Sequence, residues 1–382
     1  MSRSTALFVF RALVFALAGA LAATTVHGAQ DWYFPLDPGP GSGAYVRSIV
    51  GFNTSPATLF AGVYGGGVKK SVDAGVSWTD ASNGIKDYRI RAIGRSSATL
   101  ASAHIYIATE GGVFRTTDQG GLWTPVNNGL ACTDVRALSI IFNTPETQRV
   151  IYAGTYCSVG HAQDPPRWGG VADSQSGVYK LDTATDTWSL VSGPANSGAG
   201  LLLNAIGGTP DGVNIHAATF TGRWTTNNAT TGNTWTLRNG VAPNDLGGNG
   251  TAPSGPNNHN NIIAVGSNDY AVVQGMGVMV TTTADGGVNS YLPANSGLPV
   301  AAPFVRSLSG LFFTGGPCNA FYLPIDGLGL HKSTSPGSGW TEVVGAPKHI
   351  RNVIPDPTAT VSCNNVIYVA TFAGMWKFDG AT

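Results

Sequence analysis

The chain of 382 residues carries 21 Lys and Arg against 21 Asp and Glu, and only 11% of its residues are charged. That balance excludes the basic excess with which nucleic-acid-binding proteins neutralise phosphates. Its 52 glycines, among many Ser, Thr and Asn, point to an all-β chain built from many turns.

The first 29 residues differ from the rest. Arg3 and Arg11 flank the start of an apolar run, Ala12 to Ala23, and small residues follow, with Ala20-x-Ala22 and Val26-x-Gly28 as cleavage sites. This is the form of a secretory signal peptide, with an uncleaved membrane anchor as the alternative. Residues 1–29 are therefore read as a leader, and the mature chain as secreted or periplasmic. No other stretch could span a bilayer as a helix.

From residue 30 onward three signals recur. An apolar-Arg-small-apolar tetrad opens a strand at Val46-Arg47-Ser48-Ile49, Ile90-Arg91-Ala92-Ile93, Val135-Arg136-Ala137-Leu138, Val305-Arg306-Ser307-Leu308 and Ile350-Arg351-Asn352-Val353. Weaker copies are Leu203-Asn204-Ala205-Ile206 and Asn260-Asn261-Ile262-Ile263. An apolar strand then ends in a Gly-rich turn, as in Thr58–Tyr64 and Ile105–Thr109. The third signal reads Ser/Thr-x-Asp-x-Gly-x-x-Trp: Ser71, Asp73, Gly75 and Trp78, then Thr116, Asp118, Gly120 and Trp123. It is a turn between two strands. Hydroxyl and carboxylate accept backbone N–H groups, Gly takes the positive-φ position, and Trp packs back over the turn.

Four strands per repeat and seven repeats predict a seven-bladed β-propeller of four-stranded antiparallel blades over residues 30–382. The last repeat lacks its outer strand. Asp31-Trp32-Tyr33-Phe34 supplies it, so residues 30–40 close the last blade and remove an open edge. If strands a to d run outward, the b–c and d–a connections share the top face, and the Asp-containing turns lie on the bottom. Cys132 and Cys157 then fall on top and Cys318 and Cys363 at the bottom. Of the three connectivities, only 132–157 with 318–363 keeps partners on one face. Free buried thiols are the alternative.

The units Ser71–Trp78 and Thr116–Trp123 resemble the Asp-box, or bacterial neuraminidase repeat. It is found in sialidases, xyloglucanases, sortilin-type receptors and photosystem II assembly factors. The resemblance implies the propeller fold and leaves function to whatever site is grafted on it. Sialidases require three converging arginines, a Tyr–Glu nucleophile pair and an Asp acid/base. The nearest match to their first Arg segment, Tyr88-Arg89-Ile90-Arg91, has Arg where Pro is expected. Xyloglucanases of this kind use two tandem propellers. As an exported single propeller the chain resembles the assembly factors, which are noncatalytic and engage a partner through arginines.

Candidate binding residues gather on the top face. Arg47, Arg91, Arg136, Arg306 and Arg351 should form a partial ring at the channel mouth and suit carboxylates or phosphates. The structural alternative pairs each with a local carboxylate such as Asp87 or Asp134. Tyr64 and Glu110 stand in the first two b–c turns. Arg167 and Trp168 lie in the long loop 157–177, Trp224 lies near a top loop, and His259 lies in the loop 239–261. Glycoside hydrolysis would need two carboxyl groups about 5–10 Å apart. Glu110, Asp134, Asp173 and Asp326 are the top-face candidates, and their spacing selects no pair. The seven His are scattered, and no metal or cofactor motif is present. The expected function is an exported, noncatalytic propeller that binds a protein or glycan through its top face. The alternative is a glycoside hydrolase or lyase acting on an extracellular polysaccharide.

Overall fold

The computed structural model describes residues 31–36, 45–142, 149–156, 176–191, 203–208, 214–219, 222–227, 236–237, 259–265, 268–273, 277–281, 292–299, 312–314, 320–335, 339–358 and 366–379. The predicted leader 1–29 lies outside them.

Seven four-stranded antiparallel sheets follow one another along the chain. Blade 1 comprises Val46–Phe52, Thr58–Val63, Gly67–Ser71 and Thr79–Asp80 as strands a to d. Blade 2 comprises Ile90–Arg95, Ile105–Thr109, Gly112–Thr116 and Thr124–Pro125. Blade 3 has Val135–Phe142, Arg149–Thr155, Gly177–Asp182 and Thr187–Val191. Blade 4 has Leu203–Gly208, Asn214–Thr219, Gly222–Asn227 and Thr236–Leu237. Blade 5 has His259–Val265, Asn268–Val273, Gly277–Thr281 and Leu292–Pro293. Blade 6 has Phe312–Thr314, Ala320–Ile325, Gly329–Ser333 and Thr341–Val343. Blade 7 has Ile350–Pro355, Ile367–Thr371 and Gly374–Asp379, and its fourth strand is the N-terminal Asp31–Leu36. The fold is the seven-bladed propeller that the repeats predict. Among the described residues the helical element is the short 3-10 turn Leu100–Ser102.

The second strand of blades 1, 2, 6 and 7 is buried on both faces, which is why it reads as an unbroken apolar run rather than an alternating one. In Ile105–Thr109 every residue is buried. Ile105 and Ile107 face Phe52, Phe60 and Val68 of blade 1, while Tyr106 and Ala108 face Ile151, Ala153 and Tyr179 of blade 3. Similar clusters join blades 5 to 6, 6 to 7 and 7 to 1. Each fully buried large side chain contributes roughly 1.5–3 kcal/mol, so the blade faces hold the ring together.

The Asp-containing turns have the hydrogen bonds their residue types suggest. The Ser71 hydroxyl donates to Asp73 at 2.7 Å and accepts Gly75 N–H at 2.8 Å, and Asp73 accepts Ser77 N–H at 2.9 Å. Thr116, Asp118 and Leu122 repeat the pattern. Two successive residues are left-handed, Ala74 with Gly75 and Gln119 with Gly120.

The Trp behaves differently from the expectation that it packs over its own turn. Only Trp78 does so, its indole N–H donating to Gly75 O at 3.1 Å. Trp123 reaches into the preceding blade, donating its backbone N–H to Asn83 O at 2.8 Å and its indole N–H to Ala81 O at 2.7 Å. Trp188 does the same to Asn128 and Val126, and Trp340 to Ser296 and Ala294. Trp123, Trp188 and Trp340 therefore pin neighbouring blades together at their outer edge.

Candidate functional site

A bulge positions the tetrad arginines. In blades 1 to 5 and 7 the inner strand pairs with its neighbour up to the tetrad's first residue, skips one, and resumes at the third. The skipped residue is Arg47, Arg91, Arg136 or Arg351; in blades 4 and 5 it is Asn204 or Asn260. A bulge re-aims the extra side chain and ends regular pairing, which delivers the same position of these six blades to the top of the ring. The register also corrects the reading of blade 5. Its tetrad is His259-Asn260-Asn261-Ile262, one residue earlier than the apolar pattern suggested, because strand a begins at His259 opposite Val273.

Two further positions per blade surround each bulge residue: the one or two residues before the tetrad, and the residue after strand b. Their backbones meet, as in Tyr64 N–H to Tyr45 O and Tyr156 N–H to Asp134 O. Blade 1 supplies Tyr45, Arg47 and Tyr64. Blade 2 supplies Arg89, Arg91 and Glu110, blade 3 supplies Asp134, Arg136 and Tyr156, and blade 7 supplies His349, Arg351 and Phe372.

From blade 7 to blade 2, guanidiniums and aromatic rings alternate. Arg351 lies over Phe372 at 4.1 Å and over Tyr45 at 5.5 Å. Tyr45 stacks on Phe372 with centroids 4.3 Å apart. Arg47 lies between Tyr45 at 5.4 Å and Tyr64 at 5.7 Å, and Arg91 lies over Tyr64 at 5.1 Å. Each such contact is worth about 0.5–2 kcal/mol and, more usefully here, fixes the plane of a guanidinium without consuming its hydrogen-bond donors on an acid.

The arginines differ in their partners. Glu110, its side chain 4% exposed, takes Arg91, Arg89 at 2.5 Å and the Tyr64 hydroxyl at 2.6 Å. Arg89 also forks onto Asp87 at 2.7 and 3.0 Å. Burial pushes the Glu110 pKa up, but Tyr64, Arg91 and Arg89 outweigh it and hold the carboxyl below its usual range. Arg136 pairs with Asp134 at 2.8 Å and lies over Tyr156 at 4.3 Å. Arg47 and Arg351 have aromatic neighbours but no acidic partner among the described residues. Burial lowers the Arg47 pKa; Tyr45 opposes the shift, while nearby Arg91 and Arg351 lower it further. Blades 7 and 1 thus hold a half-buried cationic pair with no acidic partner among the described residues.

The remaining sequence candidates fall elsewhere. Arg167, Trp168, Arg306, Asp173, Cys157, Cys318 and Cys363 lie outside the described residues. Trp224 is in strand c of blade 4 and His259 opens strand a of blade 5. Cys132 is disulfide-bonded. Asp326 accepts from His349 Nδ1–H at 2.6 Å, on the top side of blades 6 and 7. No group of three or more metal-ligating side chains occurs among the described residues, nor a helix long and apolar enough to cross a membrane. Tyr45, Arg89, Tyr156, His349 and Phe372 escaped selection as site residues. Their signal was positional: each adjoins a tetrad or follows strand b, as Tyr64 and Glu110 do.

Fold and top-face ladder together define a propeller with an arginine–aromatic surface. No family model and no curated protein sequence matches the chain. Solved structures do. YCF48 bound to a D1 peptide superposes with a TM-score of 0.59 at 12% identity, over 94% of this chain and 99% of that one. YCF48 from Cyanidioschyzon merolae gives 0.55 at 11% identity, over 91% and 98%. The extracellular domain of BT4673 from B. thetaiotaomicron gives 0.62 at 12% identity, over 92% of this chain and 40% of that one. These likenesses show the propeller fold.

Proposed function

We propose that the protein is an exported, noncatalytic propeller of the Asp-box kind that binds an acidic protein segment, or an acidic glycan, at the top of blades 7 and 1. The observation behind this reading is the Arg47–Arg351 pair, which is held by Tyr45, Tyr64 and Phe372 and left without a carboxylate among the described residues. A carboxylate arriving there makes charge-assisted hydrogen bonds to planar forks that are already oriented, and it relieves the repulsion between like charges. That YCF48 has been solved with a bound peptide supports a peptide ligand. The electrostatics disfavour Glu110 as the general acid of a glycoside hydrolase, since that group must be protonated and Glu110 is held towards the ionised form. The proposal includes cleavage of residues 1–29, a single domain over 30–382, and bridges 132–157 and 318–363.

The test is fluorescence anisotropy of the mature protein with labelled hexaglutamate and hexaglutamine. Hexaglutamate should bind in a salt-dependent manner, and the double variant R47A/R351A should weaken it about tenfold or more, the loss of two charge-assisted contacts. Equal binding of both peptides, or an unaffected double variant, would overturn the reading.

A further inference from the structure

We infer that Glu110 is a specificity-determining residue that acts as a built-in substitute for ligand carboxylate and confines the anion site to blades 7 and 1. This rests on the function proposed above and assigns a boundary to that site. The arginine–aromatic ladder does not stop at blade 1: Arg91 as well as Arg47 lies over the Tyr64 ring and continues the ladder into blade 2. What stops is the free charge. Arg89 and Arg91 face Asp87 and Glu110, so two cations and two anions form an electrically closed set. Glu110 is its hub. One oxygen takes Tyr64 and Arg91 and the other takes Arg89.

The position is equivalent in each blade, the residue after strand b, yet it holds Tyr64 in blade 1, Tyr156 in blade 3 and Phe372 in blade 7. Among the described residues two blades place an acid there, Glu110 in blade 2 and Asp326 in blade 6; Asp326 turns to His349, whereas Glu110 takes the ladder's own Arg91 together with Arg89. Arg91 is therefore oriented for a ligand and already occupied. A short anion satisfied by two forks gains everything the site offers, whereas a longer run of carboxylates meets Glu110 and gains nothing more.

The experiment compares labelled diglutamate and hexaglutamate on the mature protein and on Glu110→Gln, with thermal unfolding of each as a check on folding. Glutamine keeps the shape and a hydrogen-bond acceptor for Tyr64. E110Q should raise hexaglutamate affinity roughly three- to tenfold at low salt, the effect of removing one like charge across a partly solvated site. Diglutamate should change much less, and the salt dependence for hexaglutamate should steepen. In E110Q/R91A the gain should vanish. An unchanged ratio of the two affinities in E110Q, or a gain that survives loss of Arg91, overturns the inference. Should E110Q fail to fold, Arg89→Ala serves instead. Arg89 is 44% exposed, and its loss leaves the closed set net negative beside Arg47, so hexaglutamate should bind more weakly; an unchanged affinity overturns the inference. R47A/R351A is measured alongside. Normal loss of binding there with an unresponsive E110Q rejects the boundary and keeps the site, while an unresponsive R47A/R351A rejects the site itself.

Discussion

Glu110 owes its ionisation to three donors, and that has a cost in acid. Its folded pKa is depressed, so its contribution to stability is fully present above the ordinary glutamate pKa of about 4.3 and is lost as the pH falls through the lower folded value. Asp87 shifts the same way: burial opposes, and Arg89 prevails. Acid unfolding monitored at fixed temperature should therefore have a shallower dependence on pH below about 4 in E110Q than in the native protein. Equal slopes would mean that the Tyr64–Arg91–Arg89 cluster gives no net stability. The sequence did suggest local acids as partners for the tetrad arginines. It was right to look two residues upstream for Arg136, which takes Asp134. For Arg91 the partner is Glu110, 19 residues on, while Asp87 serves Arg89. Spacing along a strand shows which residues adjoin; it does not show which of two neighbouring arginines a carboxylate turns to.

At the level of the element, the turn with its Trp was legible as a device and misread in its reach. The motif residues share one hairpin, so the sequence connects them to each other. The indole and backbone bonds of Trp123, Trp188 and Trp340 run to another blade, and no pattern within one repeat encodes that. The glycines that follow the outer strands are the complementary half. Gly129 has φ +86, and a Cβ there would collide with the Trp188 backbone carbonyl of the next blade. Gly65 has a similar φ of +82 in a top turn, with open space around its Cα. Gly65→Ala should thus cost only the left-handed penalty, about 1–2 kcal/mol. Gly129→Ala should cost clearly more, because the blades must separate to admit the methyl. Denaturant unfolding of the two variants measures the difference, and equal costs would show that the inter-blade seam yields easily. The bulge, too, was hidden. An arginine recurring at the second tetrad position is visible, but the skipped pairing that lifts it to the top face depends on the partner strand.

Across the whole molecule, most of the architecture was readable because each blade repeats the same chemistry: the buried strand b, the tetrad and the turn. The N-terminal outer strand was readable from Asp31-Trp32-Tyr33-Phe34 beside a seventh repeat with only three strands of its own, although Phe378 and Asp379, read as a turn, end strand c and pair with Trp32 and Asp31. The site was readable only in part. Its charged members recur and stand out, but its aromatic members sit at ordinary positions, and the ladder exists because blades 7, 1 and 2 converge at one end of the ring.

Asp31 lies directly opposite Asp379, and the two strands remain paired to Leu36 and Met375. The seventh sheet is consequently assembled from residues more than three hundred positions apart in a chain that could have made the same sheet locally. A circular permutant that joins residue 379 to residue 31 by a short Gly-rich turn, with new ends within 37–44, leaves every strand pairing intact while lowering contact order. Shortening that closure from more than three hundred residues to a few lowers its entropic cost by up to about 4 kcal/mol, and refolding should accelerate because the seventh sheet then forms by local pairing, leaving only the packing of blade 7 against blade 1 to close the ring. Stopped-flow refolding followed by Trp fluorescence would measure it. A permutant that refolds no faster would place the rate-limiting step elsewhere than in the pairing of the seventh sheet.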